Sequence, residues 1–179
     1  MPALPPTLVV LDTETTGLEP ELGHEIIELA AQKVVGRDVV GEFAALVTPT
    51  RPVPPDAAAV HGITPELLAA EGKPASEVFP AFLAFLGDAG IVAHNAAFDI
   101  AFLNRHLALL GLPALTNSVL DTLELAKRYL ILPSYSLKNV AAYLHVVQPS
   151  AHRALVDVET TREVFFRLAE RAKGTTRRS

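Results

Sequence analysis

The apolar and polar positions divide the chain into an early part rich in strands and a later part rich in helices. Residues 7–11 form an apolar run that predicts a buried strand. Two further β-rich runs, at residues 25–36 and 39–47, predict an antiparallel hairpin with its turn at residues 36–38, although the periodicity of residues 25–32 alone would also allow a helix. Residues 48–55 contain four prolines and therefore predict a loop.

The rest of the chain predicts helices around a short buried strand at residues 90–93. Ser76 is expected to cap a helix that ends near residue 86, and Asn95 is expected to cap a helix that runs to about residue 110. A short segment at residues 119–121 precedes helices at residues 122–130 and 136–144, and a last helix ends near residue 172. Apolar residues repeat on one face of the first and the last of these helices: Phe79, Phe82, Leu83 and Leu86, and Leu155, Val158, Phe165 and Leu168 or Ala169.

Length and composition agree with one compact domain, residues 1–172, followed by a polar tail at residues 173–179 that we expect to be disordered. None of the 179 residues is a cysteine, which excludes disulfides and thiolate metal sites. Neither a signal peptide nor a membrane span is recognisable, so we expect a cytoplasmic protein with no membrane partner. The net charge of −5 is unusual for a protein that binds nucleic acid through a basic surface. Two bound divalent ions would bring this charge to about −1.

Four carboxylates and one histidine fall in three separated clusters. Asp12 and Glu14 follow the first strand, Asp99 follows the strand at residues 90–93, and His152 precedes Asp157 near the last helix. Residues two apart on a strand point to the same face, so Asp12 and Glu14 present their oxygens side by side. A group of four acids repels a phosphate substrate unless divalent cations lie between them. The pattern therefore indicates a metal-dependent phosphodiesterase site.

The order, spacing and flanking residues of these clusters resemble the DEDDh exonucleases, and among them the proofreading epsilon subunits of bacterial DNA polymerase III. The likeness runs from about residue 7 to residue 172 and includes the segment Val60-His61-Gly62-Ile63 between the first and second clusters. Every position of the five-residue motif is present. The resemblance implies an α/β ribonuclease H-like fold with a mixed, twisted sheet flanked by helices, and it favours the hairpin over a helix at residues 25–32.

Carried over residue by residue, the resemblance implies that Asp12, Glu14, Asp99 and Asp157 hold two divalent ions, Mg²⁺ or Mn²⁺, and that His152 is the general base. It implies stepwise 3'-to-5' hydrolysis of single-stranded or mismatched DNA 3' ends, with release of nucleoside 5'-monophosphates. Each residue alone has a simpler explanation: Asp99 and Asp157 could complement helix dipoles, and His152 could be a surface residue. His152 and Asp157 are five residues apart and would diverge on a helix, so His152 is expected in the loop before it.

Further positions are expected, by the same resemblance, to lie near the terminal nucleotide. They are Thr15, Thr16, Gly17, Leu18, His61, Asn95 and Phe102. Gly17 is expected to permit a tight turn, Leu18 to wedge against the terminal base or else to be a core residue, and Asn95 to brace the site as a cap. Arg105 and Arg153 are candidates for phosphate contacts or are solvated charges. His24, His106 and His145 belong to no motif and are expected on the surface or on helices.

Two other functions stay open from the sequence. The chain could be an RNA exonuclease of the oligoribonuclease or ribonuclease T kind, or a non-catalytic subunit that keeps the fold as a docking module. The intact motif argues against the second, because decayed sites lose their ligands. A replicative DNA polymerase is a candidate partner. The epsilon subunits continue with a polymerase-docking segment that this sequence lacks, which favours a free-standing repair nuclease or a chain trimmed to its catalytic domain over stable association with a polymerase. We expect a role in proofreading or repair and a monomer on its own.

Overall fold

The computed structural model of the protein describes residues 5–148 and 153–176. These two stretches contain five strands and seven α-helices. Their bounds are β1 (Thr7–Thr15), β2 (Ile26–Val35), β3 (Asp38–Leu46), α1 (Pro55–His61), α2 (Pro65–Glu71), α3 (Ala75–Leu86), β4 (Gly90–Ala93), α4 (Ala96–Leu109), β5 (Val119–Asp121), α5 (Thr122–Tyr129), α6 (Leu137–Tyr143) and α7 (Ala154–Thr176). A short 3-10 helix, Pro20–Leu22, lies in the connection between β1 and β2.

The strands form one mixed sheet in the order β3-β2-β1-β4-β5. β1 pairs antiparallel with β2 and parallel with β4, while β3 and β5 extend the sheet as its antiparallel and parallel edges. β1 is therefore the central strand and is held on both sides. The ladder between β1 and β2 is interrupted by a bulge between Glu14 and Thr15, which changes the direction of the strand end.

The alternation of side chains along β1 divides the core into two layers. Val9 and Leu11 pack on the face covered by α3 and α4, and Leu8 and Val10 pack on the opposite face, which α7 covers. Both layers are formed by side chains that are almost completely buried. Helices thus flank both faces of the sheet, as the sequence predicts.

The hairpin of β2 and β3 is confirmed, and so is the loop at residues 48–54. Two short helices that were not predicted, α1 and α2, follow this loop directly. The helix expected to begin with Ser76 as its cap begins instead after Pro74, whose fixed φ suits a helix start, and Ser76 lies in its first turn. α7 continues to Thr176, four residues beyond its expected end, whereas residues 177–179 lie outside the described residues. No helix in the described part of the chain is long and apolar enough to cross a membrane.

His106 lies on a helix, α4, which is one of the two expected positions, and its side chain is buried. Its Nε2 accepts a hydrogen bond from the backbone N–H of Ile26 at 2.9 Å, and its ring stacks on Phe79 with the ring centroids 4.6 Å apart. Burial lowers the pKa of His106, which favours the neutral ring that this bond requires. His106 on α4 thereby fixes the start of β2 next to the site.

Candidate active site

Three carboxylates meet where β1 faces the first turn of α7. Asp12 and Glu14 alternate with Thr13 on β1, so they share the face on which α7 packs. Asp157 lies in the first turn of α7. One carboxylate oxygen from each of these three acids lies within 4.8 Å of the other two. The structure therefore brings together three residues that are up to 145 positions apart in the sequence.

Asp99 reaches the same place from α4. It lies in the first turn of this helix, as predicted, and only 3% of it is exposed. Thr13 points to the α4 side of β1 and its Oγ1 donates a hydrogen bond to Asp99 Oδ1 at 2.7 Å. The charge of Asp99 acts directly on Asp12 and raises the pKa of that carboxyl. The fourth acid is thus part of one electrostatic unit with the other three.

Burial and crowding raise the pKa values of these carboxyls. Burial raises the pKa of Asp12 well above its usual value, and the neighbouring acids raise it further. Burial also raises the pKa of Glu14 to about 7, with the charge of Asp157 as the next cause. The pKa of Asp99 rises to about 7, again through burial, although the hydrogen bond from Thr13 lowers it. Without a counter-charge, the group favours bound protons near neutral pH.

This donor set fits a divalent cation that prefers oxygen ligands. Asp12, Glu14 and Asp157 each offer a carboxylate oxygen at one point, and Asp99 adds a fourth charge beside Asp12. Mg²⁺ and Mn²⁺ take such ligands, and a bound cation would remove the repulsion that raises the pKa values. The oxygen donors of the site and the repulsion between its carboxylates both indicate a divalent cation as the ligand.

His152 and residues 149–151 lie outside the described residues. The residues on either side of this segment contact acids. Gln148 Nε2 donates to Asp157 Oδ1 at 2.7 Å, and the guanidinium of Arg153 donates to both carboxylate oxygens of Glu28 at 2.8 to 3.2 Å. Arg153 therefore forms an ion pair with the buried carboxylate of Glu28, while 52% of its own side chain is exposed, so it is a partly solvated charge.

A cleft of about 590 Å³ begins at Glu14 and extends away from the acids. Its lining combines the residues after β1 with α1 and the start of α4: Thr13, Glu14, Thr15, Thr16, Gly17, Leu18, Glu19, His24, Pro54, Asp56, Ala57, Val60, His61 and Phe98. Leu18 is 79% exposed, so it is not a core residue. His61 is buried in the wall, where its Nδ1 accepts from the backbone N–H of Ile63 at 3.0 Å. Arg105 lines a separate pocket of about 200 Å³.

The loop after β1 is held by its own hydroxyl groups. Thr15 Oγ1 donates to the carbonyl of Gly17 at 2.6 Å, and Thr16 Oγ1 accepts from the backbone N–H of Glu25 at 2.9 Å. Both side chains line the cleft, and their hydroxyls already stabilise the loop. Gly17 lies in a bend directly after β1 and is needed for close packing there: an added Cβ would lie 2.3 Å from the ring of His24. His24 is thus a cleft residue that no sequence motif identified.

Phe102 does not line the cleft. It is completely buried in the core, and Phe98, one helical turn earlier, is the α4 ring that lines the cleft. The two rings are in contact, with centroids 4.9 Å apart. Residues four apart lie on the same face of a helix, so the sequence could not distinguish them without the position of α4 against the sheet. Phe102 supports Phe98 from below.

Asn95 precedes α4 as expected, but its side chain makes no capping bond. It is in the left-handed conformation, with φ of 64°. The cap comes from Asp121, whose carboxylate accepts from the backbone N–H groups of Asn95 and Ala96 at 3.0 and 3.1 Å. Asp121 also accepts from the N–H of Leu123 at 2.8 Å and so caps α5 as well. An Asp before a helix is a recognisable local signal for the α5 cap only, because its second role depends on tertiary structure.

The mixed sheet with helices on both faces is the ribonuclease H-like fold that the sequence predicts. A family model described as exonuclease matches residues 9–165, so the chain belongs to the exonuclease family. The PolC-type DNA polymerase III of Thermotoga maritima is 44% identical over 169 residues, which cover 93% of this chain. That match spans only 12% of the length of the polymerase.

A shorter relative matches over most of its own length. The DNA polymerase III subunit epsilon of Rickettsia typhi is 37% identical over 169 residues, covering 89% of this chain and 72% of the relative. Among solved structures, exonuclease X in complex with 5' overhanging duplex DNA is similar with a TM-score of 0.73 and 30% identity, and the match covers 91% of each chain. The resemblance to the epsilon subunits, drawn from three motifs, is confirmed.

Proposed function

We propose that the protein is a metal-dependent 3'-to-5' exonuclease that removes nucleoside 5'-monophosphates from single-stranded or mismatched DNA 3' ends. The observation that carries the proposal is the meeting of Asp12, Glu14 and Asp157, with oxygens within 4.8 Å of one another, at the end of a cleft large enough for a nucleotide. Membership of the exonuclease family and the names of the polymerase relatives support it.

In this proposal Asp12, Glu14 and Asp157 hold the metal, with Asp99 next to Asp12. Two divalent ions, Mg²⁺ or Mn²⁺, would supply an activated water and offset the charge on the phosphate and the leaving oxygen. Asp12 and Glu14 contribute by being fixed on the central strand before metal arrives. Asp99 contributes its charge from a buried position that Thr13 maintains through a hydrogen bond.

His152 is the proposed general base, on the strength of its place in the motif. A histidine in this role must be neutral, so it acts above its own pKa. The residues on either side of the segment that contains His152 are held at the site by hydrogen bonds: Gln148 contacts Asp157, and Arg153 contacts Glu28. Its chain neighbours therefore stay close to the acids.

The cleft accounts for selectivity in this proposal. Leu18 projects from the loop with 79% of its surface exposed, and Phe98 and the largely buried His61 contribute rings to the lining of the same cleft. A base can lie between such groups only after it leaves its partner strand. Unpairing costs a few kcal/mol and is least costly at a mismatch, so mismatched ends enter more readily. No base-specific hydrogen bond is required.

The test is degradation of 5'-labelled oligonucleotides by the metal-free protein, with Mg²⁺, Mn²⁺ or chelator added. We expect a ladder that shortens from the 3' end, 5'-monophosphate products, faster cutting at a mismatched end, and slower cutting of RNA. Internal cuts or shortening from the 5' end would defeat the proposal. Faster cutting of RNA would favour an RNA exonuclease, and binding without cutting would favour a docking module.

We further propose that residues 1–172 act as one exonuclease domain, monomeric on its own, on 3' ends that a replicative DNA polymerase produces. This partner is supported by the similarity of the chain to DNA polymerase III proteins, a PolC-type polymerase and an epsilon subunit. Size-exclusion chromatography with and without a bacterial replicative polymerase subunit tests both statements. A shift of the protein to the polymerase peak is expected if the two associate stably, and a dimer peak for the protein alone would contradict the monomer.

A further inference from the structure

Glu28 on β2 is a fifth acid beside the site, and the proposed reaction gives it no task. It lies directly across from Glu14 in the β1–β2 ladder, and only 5% of it is exposed. Its charge reaches both Asp12 and Glu14. A buried carboxylate in this position would add repulsion to an already crowded site unless its charge were paired.

Its charge is paired by the start of α7. Arg153 donates from Nε and Nη2 to Glu28 at 2.8 to 3.2 Å, and the backbone N–H of Ala154 donates to Glu28 Oε2 at 3.0 Å. Both carboxylate oxygens are therefore engaged by the first residues of the helix. Glu28 is occupied as an acceptor and so differs from Asp12 and Glu14, whose oxygens meet that of Asp157.

The same first residues position Asp157. The backbone N–H of Asp157 donates to the carbonyl of Arg153 at 3.2 Å. Asp157 is therefore held one helical turn after Arg153, whose side chain is bound by Glu28. A carboxylate that accepts the first free N–H group of a helix also acts as a cap supplied from another element. A shift at Arg153 would move Asp157 relative to Asp12 and Glu14.

We infer that Glu28 is a positioning residue that fixes the start of α7 and thereby places Asp157 opposite Asp12 and Glu14. The inference rests on the proposed function, since it gives Asp157 the task of holding metal. Glu28 does not itself bind the cation. Its role is comparable to that of the outer residues that orient metal ligands in other sites, whose loss weakens metal binding or activity roughly 10- to 100-fold.

The chain contains a matched control. Four residues further along β2, on the same face, Gln32 Oε1 accepts from Arg162 of α7 at 3.1 Å. This second tether joins the same helix to the same strand, but it lies more than one turn away from Asp157. Loss of either tether should lower stability, whereas only loss of the Glu28 tether should move a ligand.

The experiment compares Glu28→Gln with Arg162→Gln in the full chain. The Gln amide keeps the size of Glu28 but replaces one acceptor by a donor that faces Arg153. Three measurements are made. Calorimetry gives the Mn²⁺ affinity of the metal-free protein, steady-state kinetics on single-stranded DNA give kcat and KM, and amide hydrogen exchange is followed at residues 154–157. Glu28→Gln should weaken Mn²⁺ binding by roughly 10- to 100-fold, lower kcat with little change in KM, and speed exchange. Arg162→Gln should change the melting temperature alone.

Unchanged Mn²⁺ affinity in folded Glu28→Gln overturns the inference, and so does an equal loss in both variants that follows their melting temperatures. Should Glu28→Gln fail to fold, Arg153→Gln replaces it, because it removes the side-chain fork and keeps the Ala154 bond. A wild-type protein that binds Mn²⁺ but cuts no DNA would refute the proposed function. The inference would then stand or fall on Mn²⁺ affinity. A wild-type protein that binds no Mn²⁺ would overturn both.

Discussion

The metal-free protein should lose stability as the pH rises from 5 to 8. The folded-state pKa of Asp99 is about 7, against a usual value of 3.8, and that of Glu14 is about 7, against 4.5. Between the two values the folded protein holds protons that the unfolded chain has released. Stability from this source is therefore complete below the usual pKa and is lost as the pH rises through about 7.

The size of the decrease in the free energy of unfolding follows from the pH interval between the unfolded-state and folded-state pKa values. From pH 5 to pH 7, one such group accounts for a loss on the order of 2 kcal/mol, since one pKa unit corresponds to about 1.4 kcal/mol. The charge of Asp99 raises the pKa of Glu14, so the two groups do not ionise independently and their joint effect is not simply twice this figure. We expect a decrease in the free energy of unfolding on the order of 3 kcal/mol. In a chain of this size that corresponds to a melting temperature lower by roughly 6 to 12 °C.

The assay is urea unfolding followed by circular dichroism at pH 5, 6, 7 and 8, in the presence of chelator. The Glu14→Gln, Asp99→Asn double variant is the control, because it keeps the shape of both side chains and removes their titration. Its stability should change less over this range, because Asp12 is then the one carboxyl of the three that keeps a pKa raised by burial. Added Mn²⁺ should stabilise the wild type strongly at pH 8 and weakly at pH 5, where protons compete for the carboxylates. A wild-type protein that is as stable at pH 8 as at pH 5 without metal, with a parallel curve for the variant, would refute the reasoning.

Four substitutions test the remaining assignments. Asp12→Asn should lower kcat by at least about 10²-fold while circular dichroism shows an unchanged fold, because the residue holds charge and does not fill the core; a variant within a factor of about ten of wild type would remove it from the site. His152→Ala should lose on the order of 10² to 10⁴ in rate and flatten the rise of rate with pH near ~6.5, and an unaltered pH profile would assign that titration to another group. Gly17→Ala should raise KM for DNA, since the new Cβ would lie 2.3 Å from the His24 ring and force it to move; an unchanged KM would show that His24 has room to shift. Leu18→Ala should reduce the preference for mismatched over paired ends in a ladder assay. It should have little effect on the melting temperature, because the side chain is 79% exposed. An undiminished preference would show that Leu18 does not wedge against the terminal base.

Local patterns were sufficient to predict the parts of the site that belong to regular elements. Strand alternation placed Asp12 and Glu14 on one face of β1, and the position after β4 placed Asp99 in the first turn of α4. Such predictions succeed because period and capping depend on near neighbours. The order of motifs in the family supplied what periodicity could not, namely that Asp157 meets the other acids.

The predictions failed where a choice depends on how elements pack. Phe98 and Phe102 share one face of α4, and only the angle of this helix against the sheet decides that the first lines the cleft. Asp121 caps a helix that begins 25 residues before it, a relation that no local signal encodes. His24 and Gly17 are seven residues apart in the connection between β1 and β2, and their close approach depends on how this connection folds back on itself.

The distance in sequence between Asp12 and Asp157 affects when the site can exist. Two of the proposed metal ligands are on the first strand and another is on the last helix, so their carboxylates meet only after β1 and α7 have packed together. Contacts of such long range form late, and synthesis delivers the early residues first. A growing chain that has emerged only as far as β5 contains three of the four acids but not the pocket that they form with Asp157. If the proposed function holds, partly made chains should therefore lack nuclease activity because of the topology alone, without an inhibitor.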